Sequence, residues 1–526
     1  MTPVVKLLLT LVSAVLLRLA APPYDLWPLA LVGLGPLFLA VRNLTPGRAA
    51  ALGWLAGLTA NLWGLSFGVA LLRRFGHLPL GSALGIFVAV CAYQALVWAL
   101  WAGACRLLAR QLALPWLVSA PLCLAVLEAL VPFVFPWYLA ITVTRAWPLV
   151  QVAELGGPPA VSALLVLLNL VLAETALALW RRQAPPRAVR LGAVVVAAVL
   201  AAGLVRVAHV GWVRARAPAL RVGIVQPNFG IVSLEARKHH GERYVETLRR
   251  ATRSLAAQGA TLVVWPESSF PFLFDRQLTR EYAAGHPWEL RPGFGGRLLF
   301  GALTHRFDES FVYNSAVLAA GDRRIAGTYD KNRLLVFGEY IPFAEELPAW
   351  AKRVRQRLPD FPEIHEGGAP LVIADGALRV APLICYEDLV PAAVHRAARQ
   401  GPNLLVTLAN HAWFGDSTAP RQALALATLR SVETRRDLVR ATNTGVSSIG
   451  DALGRVPVRG PLLAVPRDEP RPATTLIGEV RLLETFALAP YAAPVFPWAC
   501  ALGLALAAVV EWRRGRRASG RPAATA

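Results

Sequence analysis

The chain has 526 residues and a formal net charge of +21; 55% of its residues are hydrophobic and only 17% are charged. Soluble globular proteins carry about 25% charged residues, so this composition argues against an ordinary soluble protein. A charge of this size is also found in nucleic-acid-binding proteins, and the positions of the basic residues decide between a nucleic acid and a membrane as the partner.

Long apolar segments occupy the first part of the chain and recur once near its C-terminus. A run of roughly 20 apolar residues spans a bilayer as a helix, and no Asp, Glu, Lys or Arg occurs between Arg74 and Arg106. The sequence therefore predicts a polytopic α-helical membrane bundle of about eight spans. The other predicted spans are residues 7–19, 26–41, 49–72, 115–141, 160–179, 191–207 and 496–510.

The basic excess belongs to these membrane segments. Residues 219–487 hold 33 Lys and Arg against 28 Asp and Glu, whereas the rest of the chain holds 21 against 5. Membrane proteins concentrate Lys and Arg in their cytoplasmic loops. The distribution therefore favours a membrane, and no nucleic-acid partner is expected.

The loop arginines also predict an orientation. With a cytoplasmic N-terminus and eight spans, thirteen loop and tail arginines lie on the cytoplasmic side, whereas the short loops and span ends of the opposite side hold four. The central region follows the seventh span, so it is expected outside the cytoplasm. Long domains cross a membrane largely regardless of their own charge, so its arginine content is no objection.

The central region, residues 219–487, alternates strand-like and helix-like segments. A charged helix is predicted at residues 233–257, and interleaved strands and helices are typical of an α/β layer fold. The histidines lack the paired spacing of zinc ligands, so no metal is expected. Short strands are predicted at residues 220–226, 261–265, 298–303, 312–318, 371–373, 380–384 and 403–408.

Three reactive side chains follow these strands. Glu267 comes after the strand 261–265, Lys331 after the strand 312–318 and a turn, and Cys385 directly after the strand 380–384. Sites in α/β sheets form outside the carboxyl ends of strands. A thiol that attacks, a carboxylate that takes its proton and an ammonium that stabilises the oxyanion would together perform acyl transfer.

Each of the three residues has a structural alternative. A Glu after Trp-Pro is more often a helix cap or a surface group, a single Lys is more often solvated, and a single Cys on an apolar strand more often packs in a core. Cys385 is the only cysteine of the central region, which excludes a disulfide within it. Order and spacing together favour catalysis.

The motifs around these residues resemble a known superfamily. Trp265-Pro266-Glu267, then Lys331, then Cys385-Tyr386-Glu387 are similar to the nitrilase or carbon–nitrogen hydrolases. Together with the flanking spans, the chain resembles the apolipoprotein N-acyltransferases of bacterial inner membranes over nearly its whole length. Soluble nitrilases lack such spans. Further similar segments are residues 329–331, 337–342, 410–417, 440–445, 478–480 and 490–491.

The resemblance implies a function. Cys385 takes an acyl chain from a phospholipid as a thioester, with Glu267 as general base and Lys331 as oxyanion stabiliser. The α-amino group of an S-diacylglyceryl-cysteine at a lipoprotein N-terminus then accepts the acyl chain. Phospholipid donor, diacylglyceryl-lipoprotein acceptor and membrane lipid are the implied partners of a monomer without cofactor. Supporting or substrate-binding residues are implied at Glu339, Tyr386, Glu387 and Trp413.

The resemblance also implies the organisation of the chain. A transmembrane region at 1–215 with about seven helices precedes an αββα sandwich domain of nitrilase type at 219–487. A transmembrane helix at 490–512 and a basic cytoplasmic tail at 513–526 follow. The protein is expected in the bacterial inner (cytoplasmic) membrane, with its catalytic domain on the periplasmic side.

Three features depart from the family pattern. Val336 stands where Pro commonly precedes Phe-Gly-Glu, and His411 stands where Asp commonly precedes Ala-Trp-Phe-Gly-Asp. The segment after Gln226 lacks the usual Asn-Ile-Pro and its nearby Trp. An intact triad with altered surrounding loops is compatible with a different acyl acceptor.

Two apolar patterns in the central region have two interpretations each. Phe270, Phe272 and Phe274 form either a core strand or an apolar wall for an acyl chain. A second pattern starts at Phe343 and predicts an amphipathic helix with a basic face, whose regular part begins at Pro348. This helix lies either in the membrane interface, as an arm over the site, or packed on its own domain. Its apolar positions are Phe343, Leu347, Trp350, Val354 and Leu358.

Two other functions compete with acyl transfer. A membrane-anchored carbon–nitrogen hydrolase, or amidase, would use the same triad with water as acceptor. A transporter or scaffold with an inactive domain would have lost a triad member and would carry several ionisable groups within its spans. The triad is complete and the spans hold few such groups, which argues against the transporter or scaffold. An acyltransferase, unlike an amidase, needs an apolar approach and a lid that exclude water, and the segment 343–358 fits that need. The sequence therefore favours the acyltransferase.

Overall fold

A computed structural model of the chain describes residues 1–230, 234–306, 311–336, 338–357, 364–369, 371–462 and 472–519. The chain forms two compact units. The first comprises Met1–Ser66, Leu84–Ala208 and Tyr491–Ala526, and the second comprises Phe67–Ala83 and His209–Pro490. Phe337, Leu358 and the end of the basic tail lie outside the described residues.

Helices make up most of the first unit, and the second unit also contains helices. In chain order the described helices are α1 (Pro3–Ala20), α2 (Gly35–Val41), α3 (Pro46–Gly64), α4 (Phe67–Arg74), α5 (Leu80–Gln94), α6 (Leu96–Gln111), α7 (Trp116–Leu130), α8 (Trp147–Val150), α9 (Ala153–Trp180), α10 (Arg187–Arg216), α11 (Leu234–Ala257), α12 (Pro348–Arg357), α13 (Pro391–Ala398), α14 (Ala419–Thr434), α15 (Ala489–Ala492) and α16 (Phe496–Ser519). Single 3-10 turns occur at Trp27–Leu31, Leu139–Val143, Cys385–Leu389 and Ala412–Phe414.

The predicted membrane bundle is confirmed among the described residues. Five helical segments are long and apolar enough to cross a bilayer, and a sixth is added if α3 and α4, bent by 57°, count as one span. Shorter apolar helices at Trp27–Val41 and Trp116–Leu130 occupy the two remaining predicted positions. The five long segments are Pro3–Ala20, Leu80–Gln111, Ala153–Trp180, Arg187–Arg216 and Phe496–Arg514.

The sequence sets where these helices start and how closely they pack. Thr45 caps α3 by accepting a hydrogen bond from the Arg48 amide at 3.4 Å, and Pro46 follows at the first helical position. Gly53 of α3 faces α6 so closely that a Cβ atom there would lie 2.3 Å from the Trp98 carbonyl oxygen. Glycine is therefore required for α3 and α6 to approach.

The central region forms two β-sheets. The seven-stranded sheet has the order β13-β1-β2-β4-β5-β6, with β3 paired to β4, and the six-stranded sheet has the order β12-β11-β10-β9-β8-β7. The strands are β1 (Ala219–Gln226), β2 (Leu262–Val264), β3 (Phe270–Asp275), β4 (Arg297–His305), β5 (Val312–Ala319), β6 (Ile325–Asp330), β7 (Ile373–Asp375), β8 (Leu378–Ile384), β9 (Leu404–Ala409), β10 (Asp437–Thr442), β11 (Ser448–Gly450), β12 (Val458–Arg459) and β13 (Thr474–Arg481).

The two sheets pack face to face between helical layers. One buried apolar cluster joins residues of both sheets, such as Val264, Leu318, Leu383 and Val406, and forms the core between them. A second cluster joins α11 to the outer face of the first sheet through Val245, Leu248 and Leu255. The predicted αββα sandwich is therefore confirmed.

The structure corrects several local predictions. Phe270 and Phe274 are 1% and 2% exposed in the cluster under α11, so an apolar wall for an acyl chain is wrong for both residues and the core alternative holds. The strand predicted at 371–373 is β7, which begins at Ile373. The amphipathic segment becomes regular at Pro348, as predicted, with Trp350 exposed.

A buried carboxylate fixes the start of the sandwich to the preceding helix. Asp437 on β10 is fully buried and accepts hydrogen bonds from both Nε and Nη2 of Arg214, near the end of α10. The same carboxylate accepts from the backbone amides of Ala452 and Arg481. One side chain therefore connects α10, β10, β13 and the turn after β11.

We expect Asp437→Ala to destabilise the second unit strongly, because it leaves the Arg214 guanidinium and two amides without their acceptor. Breaking a buried pair from one side costs about 3–5 kcal/mol. Chemical denaturation of the purified protein, followed by circular dichroism, measures the loss. Glu246→Gln, which removes an exposed partner of Arg253, is the control and costs at most about 0.5 kcal/mol. Equal effects of the two variants would contradict this account.

Candidate active site

Three strand ends bring Glu267, Lys331 and Cys385 together. Glu267 lies three residues beyond the end of β2, Lys331 directly follows β6, and Cys385 directly follows β8. Lys331 also donates its backbone amide to the Asn314 carbonyl on β5, at 2.8 Å. The convergence predicted from the sequence is thus present in the second unit.

The Cys385 thiol lies between a carboxylate and an ammonium group. The Glu267 carboxylate and the Lys331 ammonium both lie near enough to the thiol to change its pKa, in opposite directions. Lys331 Nζ lies 3.6 Å from Glu267 Oε1. Glu267 and Lys331 are buried, whereas the Cys385 residue as a whole is partly exposed.

A second carboxylate and an amide complete the polar cluster. Glu339 Oε2 lies 2.7 Å from Lys331 Nζ, and this carboxylate also accepts a hydrogen bond from the Leu335 amide. Asn314 Nδ2 donates to Glu267 Oε1 at 2.9 Å and to Glu339 Oε1 at 3.0 Å. Asn314 therefore holds the two carboxylates at a fixed separation.

Cys385 lies on a strained turn. Cys385 has a φ of +59°, a left-handed conformation that is uncommon for a residue with a side chain. Glu387, two residues on, accepts from the Ile384 amide and the Tyr329 hydroxyl with one oxygen. Its other oxygen accepts from the Asn332 and Arg333 amides. Glu387 thus fastens the Cys385 turn to the segment that carries Lys331.

Gly301 allows the Glu267 turn to lie against β4. A Cβ atom at Gly301 would lie 2.4 Å from the Pro266 carbonyl oxygen and 2.7 Å from the Glu267 Cα atom. Any side chain at this position would displace the Glu267 backbone. Close backbone approach is a common reason for glycine beside a functional site.

The other predicted supporting residues occupy two places. Tyr386 lies beside the cluster, with its ring 5.6 Å from Lys331 Nζ and its hydroxyl donating to the Leu334 carbonyl. Trp413 lies on the Ala412–Phe414 turn, with its ring 5.2 Å from that of Phe75. Among the described residues, the hydrogen bonds that join the triad do not include Trp413.

The charges of the cluster set its protonation. Burial raises the pKa of Glu267, partly offset by Lys331 and increased further by Glu339. Burial lowers the pKa of Lys331, but its interactions with the acidic groups of Cys385, Glu267 and Glu339 outweigh burial and raise the pKa. Burial and the Glu267 carboxylate raise the pKa of Cys385 against the opposing effect of Lys331. Cys385 is therefore a thiol at rest.

Several residues of this cluster were not predicted. Asn314 lies on β5 and Tyr329 on β6, and an Asn or Tyr on a strand carries no catalytic signal by itself. Asn314 becomes recognisable only in the structure, where the register of β5 with β4 places it opposite Leu303. Over the described part of the chain, no group of three or more His, Cys, Asp or Glu side chains is arranged to hold a metal ion.

The departures from the family pattern have structural counterparts. His411 is buried, and its Nε2 lies 3.4 Å from Arg440 Nη2. Val336 is exposed, near the segment that carries Glu339. After Gln226, the Phe229 amide donates to Asn443 Oδ1, which fixes the start of that segment to the end of β10.

Comparison with known proteins matches the N-terminal part and the central part of the chain to one protein family each. The family model described as apolipoprotein N-acyltransferase N-terminal domain matches residues 13–171, and the carbon-nitrogen hydrolase model matches residues 221–481. Apolipoprotein N-acyltransferase from Geobacter metallireducens is 32% identical over 518 residues, covering 96% of this chain and 95% of the relative. The enzyme of the same name from Azotobacter vinelandii is 34% identical, covering 99% and 97%.

Some solved structures are similar to about half of the chain. A carbon-nitrogen hydrolase from Helicobacter pylori is 16% identical with a TM-score of 0.35, covering 50% of this chain and 90% of that one. The nitrilase-superfamily protein Nit3 from Saccharomyces cerevisiae gives the same TM-score, identity and coverage.

Apolar helices joined to a carbon–nitrogen hydrolase domain define a membrane-bound member of the nitrilase superfamily. At 30–34% identity over most of its length to proteins of that name, the chain belongs to the apolipoprotein N-acyltransferase family.

The raised pKa of Cys385 predicts how its reactivity depends on pH. Only the thiolate reacts with iodoacetamide, so the rate should keep rising above pH ~8.5, where a free thiol begins to level off. Glu267→Gln removes a negative charge and should move the profile to lower pH, while Lys331→Met should move it to higher pH. Labelling followed by peptide mass spectrometry measures the rates.

Cys385→Ala is the control for this measurement, because the other four cysteines are buried. A wild-type profile that levels off below pH ~8.5 would contradict the assignment of a resting thiol.

Proposed function

We propose that the chain transfers an acyl chain from a phospholipid to the α-amino group of an S-diacylglyceryl-cysteine at a lipoprotein N-terminus. The observation that carries this proposal is the buried Glu267–Cys385–Lys331 cluster in a chain similar over its whole length to apolipoprotein N-acyltransferases. The relatives' names supply the reaction, and the cluster supplies groups able to perform it.

In the first step the Cys385 thiol attacks the ester carbonyl carbon of the phospholipid. Glu267, which lies near the thiol, takes its proton as the carbon–sulfur bond forms. The negative charge that develops on the carbonyl oxygen is stabilised by the Lys331 ammonium. Collapse breaks the ester bond, and the lysophospholipid oxygen leaves with the proton returned from Glu267. The product is an acyl thioester on Cys385.

In the second step the lipoprotein amine attacks the thioester carbonyl carbon. Glu267 removes a proton from the amine, the carbon–nitrogen bond forms, and the carbon–sulfur bond breaks. The proton returns from Glu267 to the Cys385 sulfur, which restores the resting thiol. The acylated lipoprotein leaves as an amide. Each step begins and ends with the same net charge in the cluster.

Glu339, Tyr386, Glu387 and Trp413 are proposed as supporting residues. Glu339 and Tyr386 surround the Lys331 ammonium, and Glu387 holds the Cys385 turn. Trp413 lies on an aromatic surface with Phe75 and is proposed to contact the acyl chain. The exposed Leu347 and Trp350 before and on α12 support an arm that contacts the membrane interface.

The alternative is a membrane-anchored amidase that uses the same cluster with water. The cluster itself is compatible with hydrolysis. The relatives that match the chain over their full length are acyltransferases by name, which favours the amine acceptor.

We further propose a bacterial inner-membrane location with a transmembrane region at 1–215, a catalytic domain at 219–487 on the periplasmic side, a last span at 490–512 and a cytoplasmic tail. The thirteen cytoplasmic-side arginines against four support this orientation.

For the chemistry, phospholipid alone should add one acyl mass to Cys385, labile to hydroxylamine. Cys385→Ala should abolish the adduct, because the other cysteines are buried in the first unit. Glu267→Gln should slow its formation strongly because the base is lost, and Lys331→Ala should slow it by about 10²–10³ because an oxyanion donor is lost. Intact-mass spectrometry measures each rate.

The acceptor distinguishes the two candidate functions in the same assay. A peptide with an N-terminal S-diacylglyceryl-cysteine should discharge the adduct to an amide, much faster than water does. Discharge by water at the same rate would make the chain a hydrolase and contradict the proposal.

For the orientation, alkaline phosphatase fused after Ala219 should be active, because that enzyme folds only outside the cytoplasm. A cytoplasmic reporter at the same junction is the control. An inactive phosphatase together with an active cytoplasmic reporter would contradict the periplasmic assignment.

A further inference from the structure

A second buried charge cluster lies on the other side of the nucleophile turn. Asp388 belongs to the same Cys385–Leu389 turn as the nucleophile and is fully buried. Its Oδ2 accepts a hydrogen bond from Arg440 Nε on β10 at 2.8 Å, and the two side chains form an ion pair that is 0–1% exposed. A fully buried pair of this kind holds its backbone segments firmly, because separating it leaves uncompensated charges.

The same guanidinium reaches a third residue. Arg440 Nη2 lies 3.4 Å from His411 Nε2. Burial and the nearby Arg440 hold the pKa of His411 well below its usual range, so the ring is neutral and its Nε2 accepts. From β10, Arg440 therefore contacts both the Cys385–Leu389 turn and the loop that contains His411.

His411 leads directly into the turn that carries the aromatic surface. It precedes the Ala412–Phe414 turn, and its backbone carbonyl oxygen accepts a hydrogen bond from the Phe414 backbone amide. The Phe414 ring lies 5.8 Å from Phe67, on α4. The space around His411 is closed by Gly445, where a Cβ atom would lie 2.7 Å from His411 Nδ1.

We propose that Arg440 is a positioning residue for acyl transfer: paired with Asp388 and bound to His411, it fixes the Cys385 turn relative to the Ala412–Phe414 turn. The inference rests on the proposed function, because it assigns Cys385 as the nucleophile. Glu387 fastens one side of the turn to the Lys331 segment, and Asp388 fastens the other side to β10.

The left-handed backbone at Cys385 explains why two anchors are needed. Such a conformation persists only where the surroundings enforce it. If the Asp388 anchor is lost, the turn relaxes and Cys385 moves relative to Glu267 and Lys331. A misplacement of about 1 Å in a reacting group can cost about 10²-fold in rate.

Asp388→Asn is the primary test, because it keeps the size of the side chain and removes its charge. We expect the rate of thioester formation from phospholipid to fall about 10- to 100-fold, with the KM for the phospholipid changed less than about threefold. Alkylation of Cys385 by iodoacetamide at neutral pH should instead accelerate. Asp388 is one of the charges that raise the pKa of Cys385, and its removal also leaves the positive Arg440 uncompensated.

The opposite directions of the two rates separate positioning from other effects. If both rates fall together, the variant has lost its folded site and Arg440 has only a structural role. If both rates rise, the charge acts on the thiol alone and positioning is contradicted. Cys385→Ala run in parallel tests the nucleophile independently: an acyl adduct that persists in it contradicts the proposed function, whatever Asp388→Asn does.

A double variant distinguishes the effect of an unbalanced buried charge from the loss of the positioning contact. Asp388→Asn with Arg440→Gln removes both charges and should recover the thermal midpoint lost in Asp388→Asn, while the thioester rate stays low. Recovery of the rate together with the midpoint would overturn the proposal. His411→Asn keeps a hydrogen-bond acceptor and should retain more activity than His411→Phe. Equal rates in the two variants would show that His411 takes no part in the proposed positioning.

Glu281→Gln is the matched control. It breaks another fully buried ion pair of the same sandwich, with Arg291, in which Glu281 Oε1 lies 2.8 Å from the guanidinium. It should lower the thermal midpoint and leave the thioester rate per folded molecule within about twofold, because no catalytic turn depends on it. A fall in rate equal to that of Asp388→Asn would show that any buried ion pair of the sandwich has this effect.

Discussion

One buried ammonium shared between two carboxylates is the constraint on which the site depends. Lys331 lies within 3.6 Å of Glu267 and 2.7 Å of Glu339, and all three are buried. A lone charge could not remain in this environment, so each group requires the others. Two negative charges against one positive charge also leave the cluster with a net negative charge, which disfavours a thiolate at Cys385. In the proposed reaction the proton therefore moves to Glu267 only as the thiol attacks, and Lys331 remains available for the oxyanion.

The sandwich supplies this cluster by joining elements that are distant in sequence. Glu267 follows β2 in one sheet, Cys385 follows β8 in the other, and Lys331 follows β6 at the edge of the first sheet. The buried Glu387 carboxylate connects two of these ends, because it joins the Cys385 turn to the Lys331 segment.

The sequence predicted the parts of this arrangement that depend on local patterns. Short apolar strands before Glu267 and Cys385 indicated where the reactive groups lie, and long uncharged segments indicated the membrane helices. Pro348 correctly marked the start of α12. Tertiary contacts were not predictable in this way. Alternating Phe residues in β3 have the same period whether they face a core or a channel, and only the packing of α11 decides for the core at Phe270 and Phe274.

Residues that position the groups of the site were even harder to predict from the sequence. Asn314 is recognisable only when the register of β5 brings it between Glu267 and Glu339. Gly301 is required because β4 lies against the Glu267 turn, and the φ of Cys385 is enforced by contacts from other segments. Arg440 and Asp388 are 52 positions apart in the sequence, so a local sequence pattern could not predict their contact.

The protonation state of Cys385 in the resting enzyme tests the central claim most directly. An infrared difference spectrum between the wild-type protein and Cys385→Ala at neutral pH isolates the S–H stretching band of this one thiol, because the other four cysteines cancel. The net negative charge of the cluster predicts that the band is present in the wild type. Absence of the band, which would mean a thiolate at rest, would contradict the account of how Glu267, Glu339 and Lys331 control the nucleophile.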